Sequence, residues 1–224
     1  MRIAEIFYSI QGEGSLVGVP SVFIRTSGCN LRCSWCDTPY TSWHPEGDDL
    51  SLHAIFARVA QWPQSRHAVV TGGEPMIAPG IVDLTNALHA RGFHITIETA
   101  GTVFAPVACD LMSISPKLAN STPDGQFHNQ HERIRIQPDV LRQLMSLCDY
   151  QLKFVISEES DLAEAQQLIA TLNAPPSNVI LMSEGITVEA QNARMLMVSE
   201  LAKQNGYRFT PRLHIHLYGN KRGT

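Results

Sequence analysis

Three cysteines, Cys29, Cys33 and Cys36, lie within eight residues of the sequence. Their spacing lets three thiolates converge on one soft metal centre. A tetrahedral zinc ion and a 4Fe–4S cluster each require four ligands, and this segment supplies three. If a cluster binds here, one iron lacks a cysteine and is open to an exogenous ligand, which indicates reactive rather than structural chemistry. The histidines that could instead complete a zinc site are His44, His53 and His67.

Three further motifs carry polar groups that could bind a ligand. In Thr71-Gly72-Gly73-Glu74-Pro75, two glycines allow a close backbone approach and the carboxylate of Glu74 can accept from an ammonium group. Ser115-Pro116-Lys117 offers a hydroxyl and an ammonium group to a carboxylate or a ribose. Gln11-Gly12-Glu13-Gly14 has the composition of a hairpin turn. Taken singly, the two glycine-containing motifs indicate ordinary turns, and the Ser-Pro-Lys motif is also compatible with a solvated strand end.

The elements that must position these motifs alternate between short apolar runs and amphipathic stretches. The predicted strands are residues 21–26, 67–71, 94–98, 110–115, 151–157, 178–182 and 208–217. The predicted helices are residues 51–61, 80–91, 138–147, 161–172 and 188–205. This alternation predicts an α/β fold with a parallel sheet, and five or six units predict an incomplete parallel βα barrel. Ligands bind at the carboxyl ends of parallel strands, so we expect the motifs to meet on one rim.

Composition limits the classes of protein that fit. The 224 residues suit one domain, residues 1–224, with 44% hydrophobic and 17% charged residues. A net charge of −4 gives no broad attraction to nucleic acid or to an anionic membrane, and no apolar run approaches membrane-spanning length. Five cysteines, three of them bunched, are typical of metal binding in a reducing compartment. We therefore expect a cytoplasmic protein.

Together these motifs resemble those of a known family. The cysteine spacing, with Trp35 before the last cysteine, is similar to the cluster motif of radical S-adenosylmethionine enzymes, and Gly72-Gly73-Glu74 resembles their Gly-Gly-Glu motif. The order of the Gln-Gly-Glu-Gly turn, Arg25, Cys36-Asp37-Thr38 and Ser115-Pro116-Lys117 resembles the 7-carboxy-7-deazaguanine synthase family of this superfamily. The resemblance runs from Glu5 to about Phe154 and is weaker towards the C-terminus.

The resemblance implies a reaction and a set of cofactors. In that family a reduced 4Fe–4S cluster cleaves S-adenosylmethionine, and the resulting radical abstracts a hydrogen from 6-carboxy-5,6,7,8-tetrahydropterin. Ring contraction and loss of ammonia give 7-carboxy-7-deazaguanine, a queuosine precursor. Mg²⁺ assists, and an electron donor such as flavodoxin or ferredoxin supplies the electron. A homodimer is also expected.

The resemblance also implies a role for particular residues. Those expected to ligate the cluster are Cys29, Cys33 and Cys36, and Thr38 is the expected Mg²⁺ ligand. Those expected to bind S-adenosylmethionine are Gly73, Glu74, Ser115, Pro116 and Lys117. Those expected to contact the pterin are Ile10, Gln11, Gly12, Glu13, Arg25 and Thr71, with Arg25 on the substrate carboxylate. Glu98 and Lys153 are further candidates at strand ends.

Two other functions compete with this interpretation. A glycyl-radical-enzyme activase shares the cluster but acts on a partner protein, and a zinc-dependent binding module shares the thiols. Residues 118–135 are polar and predict a surface loop. His214 and His216 alternate within a predicted strand, where a pair without a metal is the expected state. Cys109 and Cys148 are expected to behave as small apolar side chains.

Overall fold

Nine strands form one continuous sheet in the computed structural model, which describes residues 1–224. The strands are β1 (Arg2–Ile10), β2 (Pro20–Thr26), β3 (Asp48–Asp49), β4 (His67–Gly72), β5 (His94–Thr99), β6 (Leu111–Ile114), β7 (Asp149–Ile156), β8 (Val179–Ser183) and β9 (Arg208–Thr210). Their order is β3-β1-β2-β4-β5-β6-β7-β8-β9. From β2 to β9 all neighbours are parallel, whereas β1 is antiparallel to both β2 and β3. Because β3 and β9 do not pair, the barrel is incomplete, which confirms the predicted fold class.

Eight helices connect the strands. They are α1 (Pro39–Ser42), α2 (Leu52–Val59), α3 (Ile81–His89), α4 (His128–Ile134), α5 (Pro138–Met145), α6 (Asp161–Leu172), α7 (Val188–Gln204) and α8 (Leu213–Tyr218). None of them combines the length and the apolar composition that crossing a bilayer requires.

Local sequence explains the main elements. All five residues of β8 are buried, as expected for a strand of a parallel sheet that is covered on both faces. Helix α2 begins after Ser51, whose hydroxyl accepts from the backbone N–H of Ala54 as an N-cap. Helix α6 buries Ala165 and Leu168, with others at helical spacing, against the sheet. The pattern of apolar residues in the sequence therefore accounts for the strands and helices of the barrel from β2 to β8.

The predicted strand 208–217 is wrong beyond Thr210. Strand β9 ends there, and Pro211 follows, which has no N–H to continue a ladder. Residues Leu213–Tyr218 form α8 instead, in which Ile215 is the buried residue. Two residues apart on a helix, His214 and His216 point in different directions, so they do not share a face as the strand pattern suggested.

Two further predictions need correction. Residues 118–135 are not a plain loop, since they contain two short 3₁₀ helices and α4. Strand β1 was not predicted as an element, although it forms a long hairpin with β2 in which Phe7 lies opposite Phe23. The Gln-Gly-Glu-Gly turn lies in the connection of this hairpin, in agreement with its turn-like composition.

Candidate active site

The three predicted cluster ligands lie in the segment that follows β2, residues 29–36, which we call the cysteine loop. Cys29, Cys33 and Cys36 are free thiols and all line one cavity at the carboxyl ends of the parallel strands, the inner cavity. No three His, Cys, Asp or Glu side chains are grouped as they would be around a single metal ion. A cluster binds its thiolates through three separate irons, so it suits ligands spaced more widely than those of one ion.

The candidate zinc ligands do not join this site. The histidines at positions 44, 53 and 67 are absent from the lining of the inner cavity. His67 instead lies against His94 at the N-terminal ends of β4 and β5, with 4.8 Å between ring centroids and 38° between ring planes. The inner cavity therefore offers three thiols without a histidine to complete a zinc site.

Burial controls the protonation of the cysteine loop. It raises the pKa of the Cys29 thiol to about 12, with a further contribution from the nearby carboxylate of Glu74. Burial likewise raises the pKa of Cys33 to about 11, although the Lys117 ammonium opposes the shift. Both thiols are protonated at neutral pH in the metal-free protein. Binding of iron must displace these protons, so cluster loading is favoured as the pH rises.

Helix α4 and the 3₁₀ helix Ala119–Ser121 hold the cysteine loop through hydrogen bonds. The backbone N–H of Arg32 donates to Nδ1 of His131 (3.2 Å), and that of Ser34 donates to the carbonyl of Ser121 (2.9 Å). His131 is buried, and its Nε2 lies 3.0 Å from Oγ of Ser121. Because Nδ1 accepts, Nε2 carries the hydrogen. Burial lowers the pKa of His131 to about 4, which keeps the ring neutral and Nδ1 free to accept.

Replacing His131 with leucine is expected to loosen the cluster. The change leaves the N–H of Arg32 buried without a partner, at a cost of about 1–3 kcal/mol, which corresponds to roughly tenfold faster cluster loss. The measurement is the decay of visible cluster absorbance under an iron chelator. His131→Asn, whose amide oxygen can replace Nδ1, should stay near the wild-type rate, as should His128→Leu at an exposed position of the same helix. Equal decay rates in all variants would contradict this role.

The glycine motif after β4 packs directly against the cysteine loop. A Cβ on Gly73 would lie 2.3 Å from the carbonyl oxygen of Gly28 and 2.7 Å from Cβ of Cys29, so only glycine fits. The carboxylate of Glu74 is fully buried and accepts from Thr99 Oγ1 (2.7 Å) and from the N–H groups of Met76 and Ala100. Burial raises the pKa of Glu74, and these hydrogen bonds offset part of the shift. Gly73 thus lines the inner cavity, whereas the Glu74 side chain ties β4 to β5.

The Ser-Pro-Lys motif lies across the inner cavity from the glycines. Ser115 and Lys117 line the cavity, and Pro116 is buried behind them. The Lys117 ammonium donates to both the carbonyl and Oγ of Ser115, each at 2.9 Å, and lies 5.7 Å from the centre of the Trp35 ring. This motif therefore presents a hydroxyl and a positive charge next to the cysteine loop.

A second cavity, the outer cavity, adjoins the first. The predicted pterin residues that line it are Ile10, Gln11, Gly12, Glu13, Arg25 and Thr71. Nε of Arg25 donates to Glu5 (2.6 Å), which leaves both terminal nitrogens of its guanidinium group without a protein partner. Phe7 and Phe23 also line this cavity, stacked with 4.9 Å between centroids and 7° between planes. The outer cavity thus combines an aromatic surface with an available guanidinium fork.

The Gln-Gly-Glu-Gly turn is held from several sides. The amide nitrogen of Gln11 donates to Glu98 (3.2 Å), and its oxygen accepts from the N–H of Glu13 (3.1 Å). A Cβ on Gly12 would lie 2.0 Å from Nδ1 of His214, so this position requires glycine for close approach of the C-terminal segment. The side chain of Gln11 is therefore already engaged within the protein, and His214 reaches the outer cavity beside it.

The two cavities share one polar wall, hereafter the shared wall. Its residues are Glu13, Asp37, Thr38, Thr71, Gly72, Glu98 and Arg212. Thr38, the predicted Mg²⁺ ligand, lies in it beside the carboxylate of Asp37, and Glu98 accepts from Thr71 Oγ1 (3.1 Å). Hydroxyl and carboxylate oxygens are the donors that Mg²⁺ prefers, so the residues present suit that ion.

Buried cations hold the carboxylates of Glu13 and Asp37 in the shared wall ionised. Burial by itself would raise the pKa of Glu13, but Lys153 and Arg212 outweigh it and bring that pKa well below the ordinary value. Arg212 likewise holds the pKa of Asp37 low against burial. Burial disfavours the charge on Lys153, yet Glu13 and Glu98 raise its pKa. These groups are therefore all charged at neutral pH.

Sequence reasoning missed several residues of this site. Asp37 directly follows the last cysteine but was considered only as part of the Cys-Asp-Thr motif. The stacked pair Phe7 and Phe23 becomes visible only once the pairing of β1 with β2 is known. Arg212 and His214 carried no usable signal because their partners are far away in sequence, 199 residues in the case of Arg212 and Glu13.

Comparison with known proteins agrees with the fold. The Radical SAM superfamily matches residues 23–153, more than half of the chain, so this is a radical S-adenosylmethionine protein. The 7-carboxy-7-deazaguanine synthases of Halobacterium salinarum and Rhodopirellula baltica are each 44% identical to it, covering 98% and 100% of this chain and 91% and 89% of their own. The crystal structure of QueE from Escherichia coli superposes with a TM-score of 0.72 at 27% identity, covering 95% of this chain and 94% of that one.

The chain belongs to the 7-carboxy-7-deazaguanine synthase family. The family predicted from the motifs is therefore confirmed, together with the 4Fe–4S cluster and S-adenosylmethionine as its cofactors.

Proposed function

We propose that this protein converts 6-carboxy-5,6,7,8-tetrahydropterin to 7-carboxy-7-deazaguanine with loss of ammonia, as a lyase of 7-deazapurine (queuosine precursor) biosynthesis. The observation that carries the proposal is the pair of adjoining cavities. The inner one is lined by three free thiols, and the outer one contains Arg25 with its guanidinium fork unpaired at the terminal nitrogens. This arrangement suits a cofactor site beside a site for a flat, carboxylated substrate.

The inner cavity would hold the cofactors. Its three cysteines would ligate the 4Fe–4S cluster, which together with S-adenosylmethionine supplies the radical that the reaction requires when both are bound. The backbone at Gly73 lies close enough to the cysteine loop to bind a ligand of the cluster, and Ser115 and Lys117 offer a hydroxyl and a positive charge to its polar groups. The Glu74 side chain supports this backbone and contributes through its position rather than through its carboxylate.

The outer cavity would bind and orient the pterin. The free terminal nitrogens of Arg25 match the geometry of a carboxylate. The carboxyl groups of Glu13 and Glu98 offer acceptor oxygens at the shared wall to the N–H donors of a pterin. The residues assigned to the remaining pterin contacts are Ile10, Gln11, Gly12 and Thr71. Phe7 and Phe23 cover an apolar surface on which an aromatic ring can pack.

The test is product formation by the anaerobically reconstituted, reduced protein with S-adenosylmethionine and the carboxylated tetrahydropterin. We expect 7-carboxy-7-deazaguanine, identified by mass spectrometry, and one equivalent of ammonia. Cleavage of S-adenosylmethionine without any deazaguanine would refute the proposal and would favour the activase alternative, in which the substrate is a protein.

Replacing Thr38 with alanine is expected to raise the Mg²⁺ concentration that gives half-maximal turnover by roughly tenfold. The hydroxyl lies in the shared wall beside Asp37, and loss of one ligand weakens a site that keeps few protein ligands. Thr38→Ser retains the hydroxyl and should behave like the wild type. An unchanged Mg²⁺ dependence in Thr38→Ala would remove this residue from the metal site.

We also infer the partners and the location of the enzyme. A flavodoxin or a ferredoxin would supply the electron, and free thiols at the inner cavity support a reducing, cytoplasmic location. We also propose a homodimer, which the family resemblance implies. Light scattering that gives 24.8 kDa in solution, the mass of one chain, would contradict the dimer.

A further inference from the structure

Arg212 is a buried charged residue that connects three separate segments. It lies between β9 and α8, and only 8% of its side chain is exposed. Its Nε donates to Oε1 of Glu13 (2.9 Å), Nη1 donates to the carbonyl of Gly185 (2.9 Å) and Nη2 donates to Asp37. One guanidinium group therefore joins the Gln-Gly-Glu-Gly turn, the residue that follows the cysteine loop and the connection after β8.

The two carboxylates that Arg212 contacts depend on it to different degrees. Glu13 has a second cation, Lys153, which also faces Glu98 at 3.9 Å. Asp37 has Arg212 as its one ion-pair partner. Asp37 stands between Cys36 and Thr38, which are the predicted ligands of the cluster and of Mg²⁺. Without Arg212, the half-buried carboxylate next to both metal ligands would lose its balancing charge.

We propose that Arg212 is a positioning residue that sets the Gln-Gly-Glu-Gly turn against Asp37 and Thr38, which follow the cysteine loop. It thereby keeps the pterin-binding turn and the Mg²⁺ ligand at a fixed position relative to each other. This inference rests on the proposed function. A planar guanidinium group with donors in several directions can hold both carboxylates and the Gly185 carbonyl at once, whereas a lysine ammonium is a single point charge. The residue touches both cavities but acts through Glu13 and Asp37.

A structural brace alone would behave differently from a positioning residue. Loss of a brace lowers the melting temperature and the yield of folded protein without changing how tightly the pterin binds. Loss of positioning weakens pterin binding and lets S-adenosylmethionine be cleaved without product, because the substrate is no longer held where the reaction occurs. The two roles are separated by binding and by the ratio of 5′-deoxyadenosine to deazaguanine formed.

The experiment compares Arg212→Gln, Arg212→Lys and the control Arg194→Gln. Arg194 pairs with Glu184 at 3.5 Å, is 33% exposed and lies outside both cavities. The first readout is binding of 6-carboxypterin, the oxidised substrate analogue, to the cluster-free protein by calorimetry. We expect binding at least about tenfold weaker in Arg212→Gln, an intermediate loss in Arg212→Lys and no change in Arg194→Gln.

The second readout uses the reconstituted enzyme. Arg212→Gln should raise KM for the pterin more than it lowers kcat and should raise the ratio of 5′-deoxyadenosine to product, with iron content unchanged. If both Arg212 variants bind the analogue and turn over like Arg194→Gln, Arg212 is not a positioning residue. If Arg212→Gln does not fold, Arg212→Lys decides by the same two criteria. Failure of the wild type to make deazaguanine would refute the proposed function instead, since the analogue-binding comparison does not depend on turnover.

Discussion

Replacing Cys29, Cys33 or Cys36 with alanine is expected to abolish both the bound cluster and deazaguanine formation. The three thiols line the inner cavity, and none of the candidate histidines lies there to substitute for a lost ligand. The cofactors supply the chemistry of this reaction, so an enzyme without its cluster retains none of it. The measurements are iron and sulfide per chain, visible absorbance and product.

The chain provides its own matched controls for this prediction. Cys109 and Cys148 lie just before β6 and β7, at the end of the barrel opposite the inner cavity. Cys109→Ala and Cys148→Ala should therefore keep the full iron content and the wild-type rate. A variant at position 29, 33 or 36 that still binds four irons per chain would show that the cluster is held differently. Because burial raises the pKa of Cys29 and Cys33, loading of the wild type should also improve from pH 7 to pH 9.

Replacing Arg25 with glutamine is expected to weaken binding of 6-carboxypterin by at least about 30-fold, since removing one partner of a buried charge pair costs about 2–5 kcal/mol. The side chain lines the outer cavity, and the terminal nitrogens of its guanidinium group have no protein partner. Glu5, its present partner, keeps a hydrogen bond from Tyr40 (2.7 Å) after the change. The loss of affinity should therefore come mainly from the missing contact to the ligand carboxylate, and not from a change in the structure of the outer cavity. Fluorescence titration with the pterin measures it.

The control for Arg25 is a change in the ligand. For pterin without the 6-carboxylate, the Kd values of the wild type and Arg25→Gln should agree within about threefold. This ligand has no carboxylate for Arg25 to pair with, so neither protein forms the ion pair. Arg25→Lys keeps the charge but not the two-pronged geometry of the guanidinium group. Its affinity for 6-carboxypterin should therefore lie between those of the wild type and Arg25→Gln. Equal losses on both ligands would show that Arg25 supports the fold of the cavity and does not bind the carboxylate.

The barrel from β2 to β8 could be predicted because its signals are local. Buried parallel strands such as β8 are continuous apolar runs, and amphipathic helices such as α6 repeat their apolar residues every three or four positions. The end of the chain could not be predicted in the same way. The segment after Pro211 alternates like a strand, but tertiary packing buries Ile215 and makes α8. Residues 118–135 were predicted as a loop because they lack apolar periodicity; the His131 ring and the Ser121 carbonyl bond the cysteine loop instead.

The sequence by itself determined the kind of chemistry and the family, since closely spaced thiols, glycines at a strand end and a Ser-Pro-Lys turn are legible where each motif is continuous in the chain. Tertiary structure alone decided how the motifs act together. It placed the Glu74 carboxylate in a buried hydrogen-bond network, left the Arg25 fork unpaired at its tips and brought Arg212 to Glu13 and Asp37 across 199 and 175 residues. The physical reason is that a charge is stable in a dry interior only beside its partner, and folding rather than spacing brings such partners together.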